Sequence, residues 1–207
     1  QWPMPDERYS MSFTTGALLY RESRRIAERY GELADWQAVR AHVVAGNLLQ
    51  MRTLNASVRV TREVISRLKL LTDAQRDLLL GGSPQEGRYL LWLALCKRYR
   101  FVYDFAVEVL HEKYLRLDLQ LDGSEYDRFF ERKAQWRPEV ERVAPATRAK
   151  GRQLVWKAMS EAGIVDRDRR LLPALLTPAL ADALVADSPA HFALFPASRR
   201  ELAQGTP

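Results

Sequence analysis

Two helix-start signals close together fix how the middle of this chain must fold. Thr72-Asp-Ala-Gln75 and Ser83-Pro84-Gln-Glu86 each set a hydroxyl three residues ahead of a Gln or Glu, with Gly81-Gly82 between them. That spacing is a capping box, which satisfies backbone donors that the first turn of a helix otherwise leaves open. Pro84 falls at a first helical position, where its missing N–H costs nothing. The pattern predicts one helix ending at the glycine pair and a second beginning at Pro84. In the second, the run Tyr89-Leu-Leu-Trp-Leu-Ala-Leu-Cys96 is apolar almost all round, which marks a helix central to a core.

Helix signals also dominate elsewhere. Thr14 or Thr15 can cap a helix to about Tyr30, and Asp35 another to about Ala45. After Arg98-Tyr-Arg100, a helix would turn Phe101, Phe105, Val109 and Leu110 inward. At Leu115-Arg-Leu-Asp-Leu-Gln-Leu-Asp122 the period changes to two, which predicts a short strand or extended connector and a domain boundary. A second helical group starts near Ser124 with Tyr126, Phe129 and Phe130 buried, and pauses at Arg137-Pro138 and Ala144-Pro145. Thr147 can cap a helix to about Ala162, in which Gly151 costs about 1 kcal/mol for no reason visible in the sequence. The stretch from Gly163 to Leu172 reads as either a hairpin with a charged tip or a charged loop. A last helix runs from Thr177-Pro178 to about Ala186, before a turn at Ser188-Pro189.

The expected fold is therefore mainly α, with at most short β-hairpins, in two compact helical domains with winged helix-turn-helix-like parts. The boundaries are 12–121 for an N-terminal domain carrying a basic helix and 122–198 for a C-terminal winged-helix-like domain. Residues 1–11 and 199–207 are expected to be loose.

Charge points to a class of partner. The chain has 207 residues and a net charge of +6, which favours polyanions. Residues 47–70 hold five Arg or Lys against one acid, and 128–152 hold eight against three, so the excess is local. Within the first region, a helix beginning near Asn55 or Ser57 and ending near Leu70 puts Val58, Thr61, Val64, Ile65, Leu68 and Leu71 on one arc. Arg59, Arg62, Ser66 and Lys69 lie opposite. Such a helix can bury one face and present phosphate-binding cations on the other, although a merely solvated cationic face has the same pattern. In the second region Leu154, Val155, Ala158 and Ala162 share one face, and Lys150, Gln153 and Lys157 another.

Several functions find no support. The lone Cys96 leaves no partner for a disulfide within this chain and no cysteine-rich zinc site, and its surroundings suit a buried thiol. Its apolar run is too short to span a bilayer, for which about 20 residues are needed, so a soluble, cytoplasmic protein is expected. Gly82 to Tyr89 has the glycine spacing of a phosphate-binding loop, but Arg88 and Tyr89 stand where Lys and Ser or Thr are required. Asp118 to Phe129 begins like a calcium loop, yet Gln120 and Phe129 occupy ligand positions. His42, His111 and His191 lack a second histidine at ligand spacing. No catalytic constellation, metal site or cofactor is predicted.

Five segments together resemble the BrxA family: Ser12 to Ser23, Arg62 to Thr72, Gln85 to Arg100, Leu172 to Leu176 and Phe195 to Ser198. The resemblance runs from about Ser12 to Ser198. BrxA is a small component of BREX, the bacteriophage-exclusion systems in which self DNA is marked by a methyltransferase and unmarked phage DNA is blocked. The resemblance implies a mainly helical protein with winged-helix-like parts that binds double-stranded DNA among other BREX proteins, and it transfers no catalytic residue.

The expectation is a non-enzymatic duplex-DNA-binding protein. It would contact phosphates through Arg59, Arg62, Arg67 and Lys69 and through Arg148, Lys150, Arg152 and Lys157. Two alternatives stand beside it, an adaptor docking other BREX proteins and an RNA-binding helical bundle.

Overall fold

Both capping boxes close in the structure, a computed structural model that describes residues 9–197. Thr72 Oγ1 accepts from the Gln75 N–H at 3.2 Å, and Gln75 Oε1 accepts from Thr72 N–H at 3.1 Å. Ser83 and Glu86 reciprocate at 3.2 and 2.7 Å. The helices they start are α4 (Asp73–Gly81) and α5 (Pro84–Arg98). The stretch Tyr89 to Cys96 is at most 3 % exposed throughout, so α5 is enclosed on every side. Around it pack α1 (Tyr20–Leu33), α3 (Leu54–Leu68), α4 and α10 (Pro145–Ala162). Enclosure of an unpolarised apolar helix is what the hydrophobic effect demands.

The other helices are α2 (Trp36–Ala45), α8 (Glu125–Ala134), α9 (Pro138–Glu141) and α11 (Pro178–Asp187), with a 3₁₀ turn at Pro189–Leu194. Between α5 and α8 lies α6 (Arg100–Phe105), which continues through a π-helical segment, Ala106–His111, into α7 (Glu112–Leu115). Asp35 caps α2 and Thr177 caps α11, as their sequences predict. Phe101, Phe105, Val109, Leu110, Tyr126, Phe129 and Phe130 are all buried. Phe101 is the hub of an aromatic cluster, with ring centroids 5.0 to 6.0 Å from Tyr9, Phe13, Tyr126, Phe129 and Phe130. One contiguous buried cluster draws residues from both sides of the boundary predicted at 121/122.

Three helix starts differ from the sequence reading. The first helix begins at Tyr20 rather than near Thr14, because residues 12–19 form a strap whose backbone groups are claimed by other elements. Arg67 donates to the Gly16 and Ala17 carbonyls, and the Leu18 N–H donates to Glu161 Oε2 at 2.9 Å. α3 is capped by Thr53, whose Oγ1 accepts from Ala56 N–H at 3.1 Å, which leaves Ser57 buried inside the helix. α10 starts at Pro145 with no side-chain cap, so Thr147 lies within its first turn.

Of the termini expected to be loose, 1–8 and 199–207 fall outside the described residues, as does Ser198. Tyr9 is firmly docked: it is 5 % exposed, its hydroxyl donates to Asp104 and its N–H to Glu139 at 3.1 Å.

The glycine in α10 has a steric reason. A Cβ at Gly151 would come within 2.8 Å of Tyr126 Oη and 2.9 Å of Phe13 Cε2, so only glycine lets α10 approach the strap and α8 this closely.

Candidate nucleic-acid interface

α10 leads directly into the segment 164–172, which turns back on itself. The Leu172 N–H donates to the Ile164 carbonyl at 3.0 Å, and the Asp166 N–H to that of Arg170 at 3.0 Å; Val165 and Leu171 form an antiparallel bridge. Asp166 Oδ1 accepts from the N–H groups of Asp168 and Arg170 at 2.9 Å, which pins the charged tip. The returning limb also pairs with 119–121. Leu171 N–H donates to Leu119 O at 2.8 Å, and Leu121 N–H to Arg169 O at 3.0 Å. The hairpin reading of Gly163 to Leu172 thus describes the backbone, and the alternating stretch 115–122 contributes the third extended piece.

Arg169 ties the tip to the helix. Its φ is +61°, and its guanidinium carbon lies 5.3 Å from the centroid of the Trp156 ring on α10. Such a cation–π contact is worth roughly 0.5–2 kcal/mol depending on exposure. Arg167 and Arg170 are exposed and have no side-chain partner among the described residues. These three arginines were absent from the sequence-derived contact set; the signal was the Arg-Asp-Arg-Arg run at the charged tip.

The eight predicted contact residues separate by surroundings. On α3, Arg59, Arg62 and Lys69 are exposed and without ion-pair or hydrogen-bond partners among the described residues. Arg67 is a correction. It is 2 % exposed, its Nε donates to Glu63 Oε1 at 2.8 Å, and its other nitrogens hold the strap. One position beyond the exposed arc, a long cation has become a core brace, and it cannot reach a phosphate.

On α10, Arg148 is half-buried, donating to Asp127 Oδ1 at 2.9 Å and Glu131 Oε1 at 3.0 Å, while Arg152 donates to Asp127 Oδ2 at 2.5 Å. Burial alone would push the Asp127 carboxyl up; the two guanidinium partners outweigh it and hold it below the usual carboxylate range. α8 therefore offsets much of the charge on that flank. The solvent side of α10 differs: Ala146, Ala149, Lys150, Gln153, Lys157 and Ser160 are all exposed. Among the described residues Lys150 meets only Gln153 Oε1, at 3.3 Å, and Lys157 reaches Glu161 at 3.7 Å in an exposed pair of small energetic consequence. Lys157 also lines a groove of about 630 Å³ with Arg21 and Arg88, two cations outside the predicted set. α3 and α10 both pack on α5, so the two basic helices share a buried neighbour.

Residues 7–188 match the profile of the BrxA family. The chain belongs to the BrxA family. Over 156 residues it is 33 % identical to the BREX protein BrxA of Escherichia coli O9:H4 (strain HS), covering 75 % of this chain and 73 % of that one. Over 164 residues it is 21 % identical to the BREX protein BrxA of Bacillus cereus (strain H3081.97), covering 79 % and 82 %. The crystal structure of an uncharacterized protein from Magnetospirillum magneticum shares the fold. It has a TM-score of 0.77 and 21 % identity, covering 92 % of this chain and 98 % of that one. BrxA membership makes the chain part of BREX phage defence.

Other chemistry is sparse. Among the described residues no group of three or more His, Cys, Asp or Glu is placed to hold a metal ion, and no helix is long and apolar enough to cross a membrane. Cys96 is fully buried, and burial pushes its thiol well up. An apolar groove of about 430 Å³ lies between the helix 100–115, through Tyr103, Val107, His111 and Leu115, and the 3₁₀ turn, through Phe192 and Ala193.

Proposed function

We propose that this BrxA protein is a non-catalytic component of its BREX system that binds double-stranded DNA, with α10 and the hairpin 164–172 facing the duplex. The observation that carries the reading is the order and pairing of elements. The helix 100–115, an extended piece at 119–121, α8, the short α9, α10 and a hairpin whose returning limb pairs with that piece follow one another. Apart from α9, this order supports a winged helix-turn-helix reading, in which the last helix enters a groove and the hairpin meets backbone.

The exposed stripe of α10 suits that role. Ala146 and Ala149 allow close approach, Lys150 and Lys157 supply phosphate contacts, and Gln153 is long enough to reach a base edge. Arg152 flanks the stripe, while Arg148 orders α8 against α10. Arg59, Arg62 and Lys69 on α3 form a second, auxiliary phosphate surface. The deciding experiment is duplex titration of a folded Lys150→Glu/Lys157→Glu variant beside a folded Arg59→Glu/Arg62→Glu/Lys69→Glu variant. Unchanged affinity in the first would remove α10 from the site.

The apolar groove beside the π-helical segment supports a second reading, an adaptor docking other BREX proteins. Partners retained after nuclease treatment, with no duplex binding at about 0.15 M salt, would favour it.

A further inference from the structure

The groove of about 630 Å³ beside Lys157 is walled by four elements: the strap, the first turn of α1, α5 through Gln85 and Arg88, and the end of α10. Its size falls within the roughly 300–1,000 Å³ of small-molecule sites. The walls are fastened to one another. Glu161 Oε2 accepts from the Leu18 N–H at 2.9 Å, its Oε1 lies 3.7 Å from Lys157 Nζ, and Gln85 Nε2 donates to the Ala162 carbonyl at 2.8 Å. The Arg88 guanidinium carbon sits 5.7 Å from the centroid of the Tyr20 ring, so α5 and α1 meet across the same opening.

Two of the cations there differ from their neighbours in having no protein oxygen to serve. On α1, Arg24 donates to the Leu79 and Leu80 carbonyls at 3.1 Å, Arg25 to that of Leu48 at 2.7 Å, and Arg29 to Glu32. Arg21 is exposed, with no ion-pair or hydrogen-bond partner among the described residues. On α5, Lys97 is bound to Asp187 and Arg98 to Ser66, whereas Arg88 is exposed and meets only the Tyr20 ring among the described residues. Two carboxylates also line the groove. Glu161 is committed to the strap and to Lys157, which leaves Glu22 against two unpaired guanidiniums, so the opening keeps a cationic excess. A planar carboxylate offers two oxygens to one guanidinium fork. Cations arriving from α1, α5 and α10 suit a ligand with more acceptor oxygens and more charge, which is a phosphate.

We infer that this groove is a phosphate-binding site in which Arg21, Arg88 and Lys157 hold a phosphate ester. The exposed Ser160 hydroxyl lines the same wall and adds a neutral donor. Lys157 belongs also to the exposed stripe of α10, so the backbone of a duplex seated on that helix has the groove beside it. The phosphate of a free nucleotide offers the same chemistry. Either way, Arg21 and Arg88 add contacts that the duplex-binding reading does not contain, and only Lys157 is common to both.

The test uses two probes, a paired DNA duplex and ATP, on the full chain and on two variants. Arg21→Gln/Arg88→Gln removes both charges, and Arg21→Lys/Arg88→Lys keeps them; circular dichroism checks that each is folded. With DNA as the source, the Gln variant should flatten the slope of log K against log salt by about 2 units, at about 0.9 per phosphate contact, and the Lys variant should keep the slope. With a free nucleotide as the source, ATP binding measured by calorimetry should fall about tenfold in the Gln variant and be largely retained in the Lys variant. Either result upholds the site. Should the double Gln variant not fold, Arg21→Gln alone is expected to show about half the flattening. An unchanged duplex slope in the folded Gln variant overturns the inference when ATP binding is also unchanged there or is absent from wild type. If Lys150→Glu/Lys157→Glu still loses duplex affinity in that case, the duplex-binding reading survives alone. Wild type that binds ATP through Arg21 and Arg88 but binds no duplex upholds the groove and sinks that reading, and wild type that binds neither probe sinks both.

Discussion

Gly151 lies directly beneath Tyr126: a Cβ built on the glycine would come within 2.8 Å of the phenolic oxygen, which is itself buried without a hydrogen-bond partner among the described residues. Burial accordingly pushes the Tyr126 hydroxyl pKa upward. The contact sets how closely α10 sits on α8 and the strap, and so fixes the base of the proposed interface.

Gly151→Ala is expected to destabilise despite alanine's better helix propensity. Overpacking costs roughly 1–3 kcal/mol and the propensity gain returns about 1, so a net loss of about 1 kcal/mol should appear in urea denaturation. Tyr126→Phe removes a buried hydroxyl that nothing satisfies and should be neutral or stabilising by about 1 kcal/mol. In the Tyr126→Phe background the alanine should cost less, and an additive pair would contradict this account.

Arg67 and Arg62 should behave oppositely. Arg67→Ala leaves Glu63 without its charged partner, keeping only the Tyr99 hydroxyl at 2.7 Å, and frees the Gly16 and Ala17 carbonyls, so a loss of about 3–5 kcal/mol is expected. Arg62→Ala, on the exposed face, should change stability by no more than about 0.5 kcal/mol. Thermal melts of the two single variants decide the matter.

Salt dependence should separate the two basic helices. Each phosphate contact removed lowers the slope of log K against log salt by about 0.9. Lys150→Glu/Lys157→Glu should reduce affinity and flatten the slope by about 2 units, while Arg59→Glu/Arg62→Glu/Lys69→Glu should have the smaller effect on affinity. Titrations at several salt concentrations give both quantities; a larger effect from α3 would reassign the duplex-facing helix.

Stability should fall on mild acidification. His191 is 8 % exposed; burial pushes its pKa down, the nearby Asp187 carboxylate partly opposes this, and Lys97 adds to the lowering. Below about 6.5 the unfolded chain takes up a proton that the folded chain resists, so stability drops as pH falls from 7 toward 5. Burial also works to raise the Asp187 carboxyl, but Lys97 at 2.6 Å and Gln75 at 3.2 Å outweigh it and hold the carboxyl low. That contribution is present above the ordinary carboxylate value and is lost at lower pH, through the depressed one. In pH-dependent melts, His191→Phe should remove the loss between pH 7 and 5 and leave the more acidic one.

The elements with local causes were legible in the sequence. Both capping boxes, the Asp35 and Thr177 caps, the enclosed α5 and the inward aromatics of α6 and α8 follow from periodicity and from hydrogen bonds that span three residues. The exposed cations Arg59, Arg62, Lys69, Lys150 and Lys157 were legible for the same reason, since helical period alone sorts faces.

Only the tertiary structure decided the rest, because the causes lie far apart in the chain. Residues 12–19 carry plausible caps, yet a buried guanidinium some fifty positions away takes their carbonyls, so the helix waits until Tyr20. Arg67 reads as one more cation until the strap closes over it. Gly151 reads as a defect until Phe13 and Tyr126 arrive beneath it. By itself the sequence determined the helices whose caps and periodicity are local, and that the charge excess is cationic and local. Packing determined which cations remain in water, because burial and long-range hydrogen bonds are properties of the assembled fold.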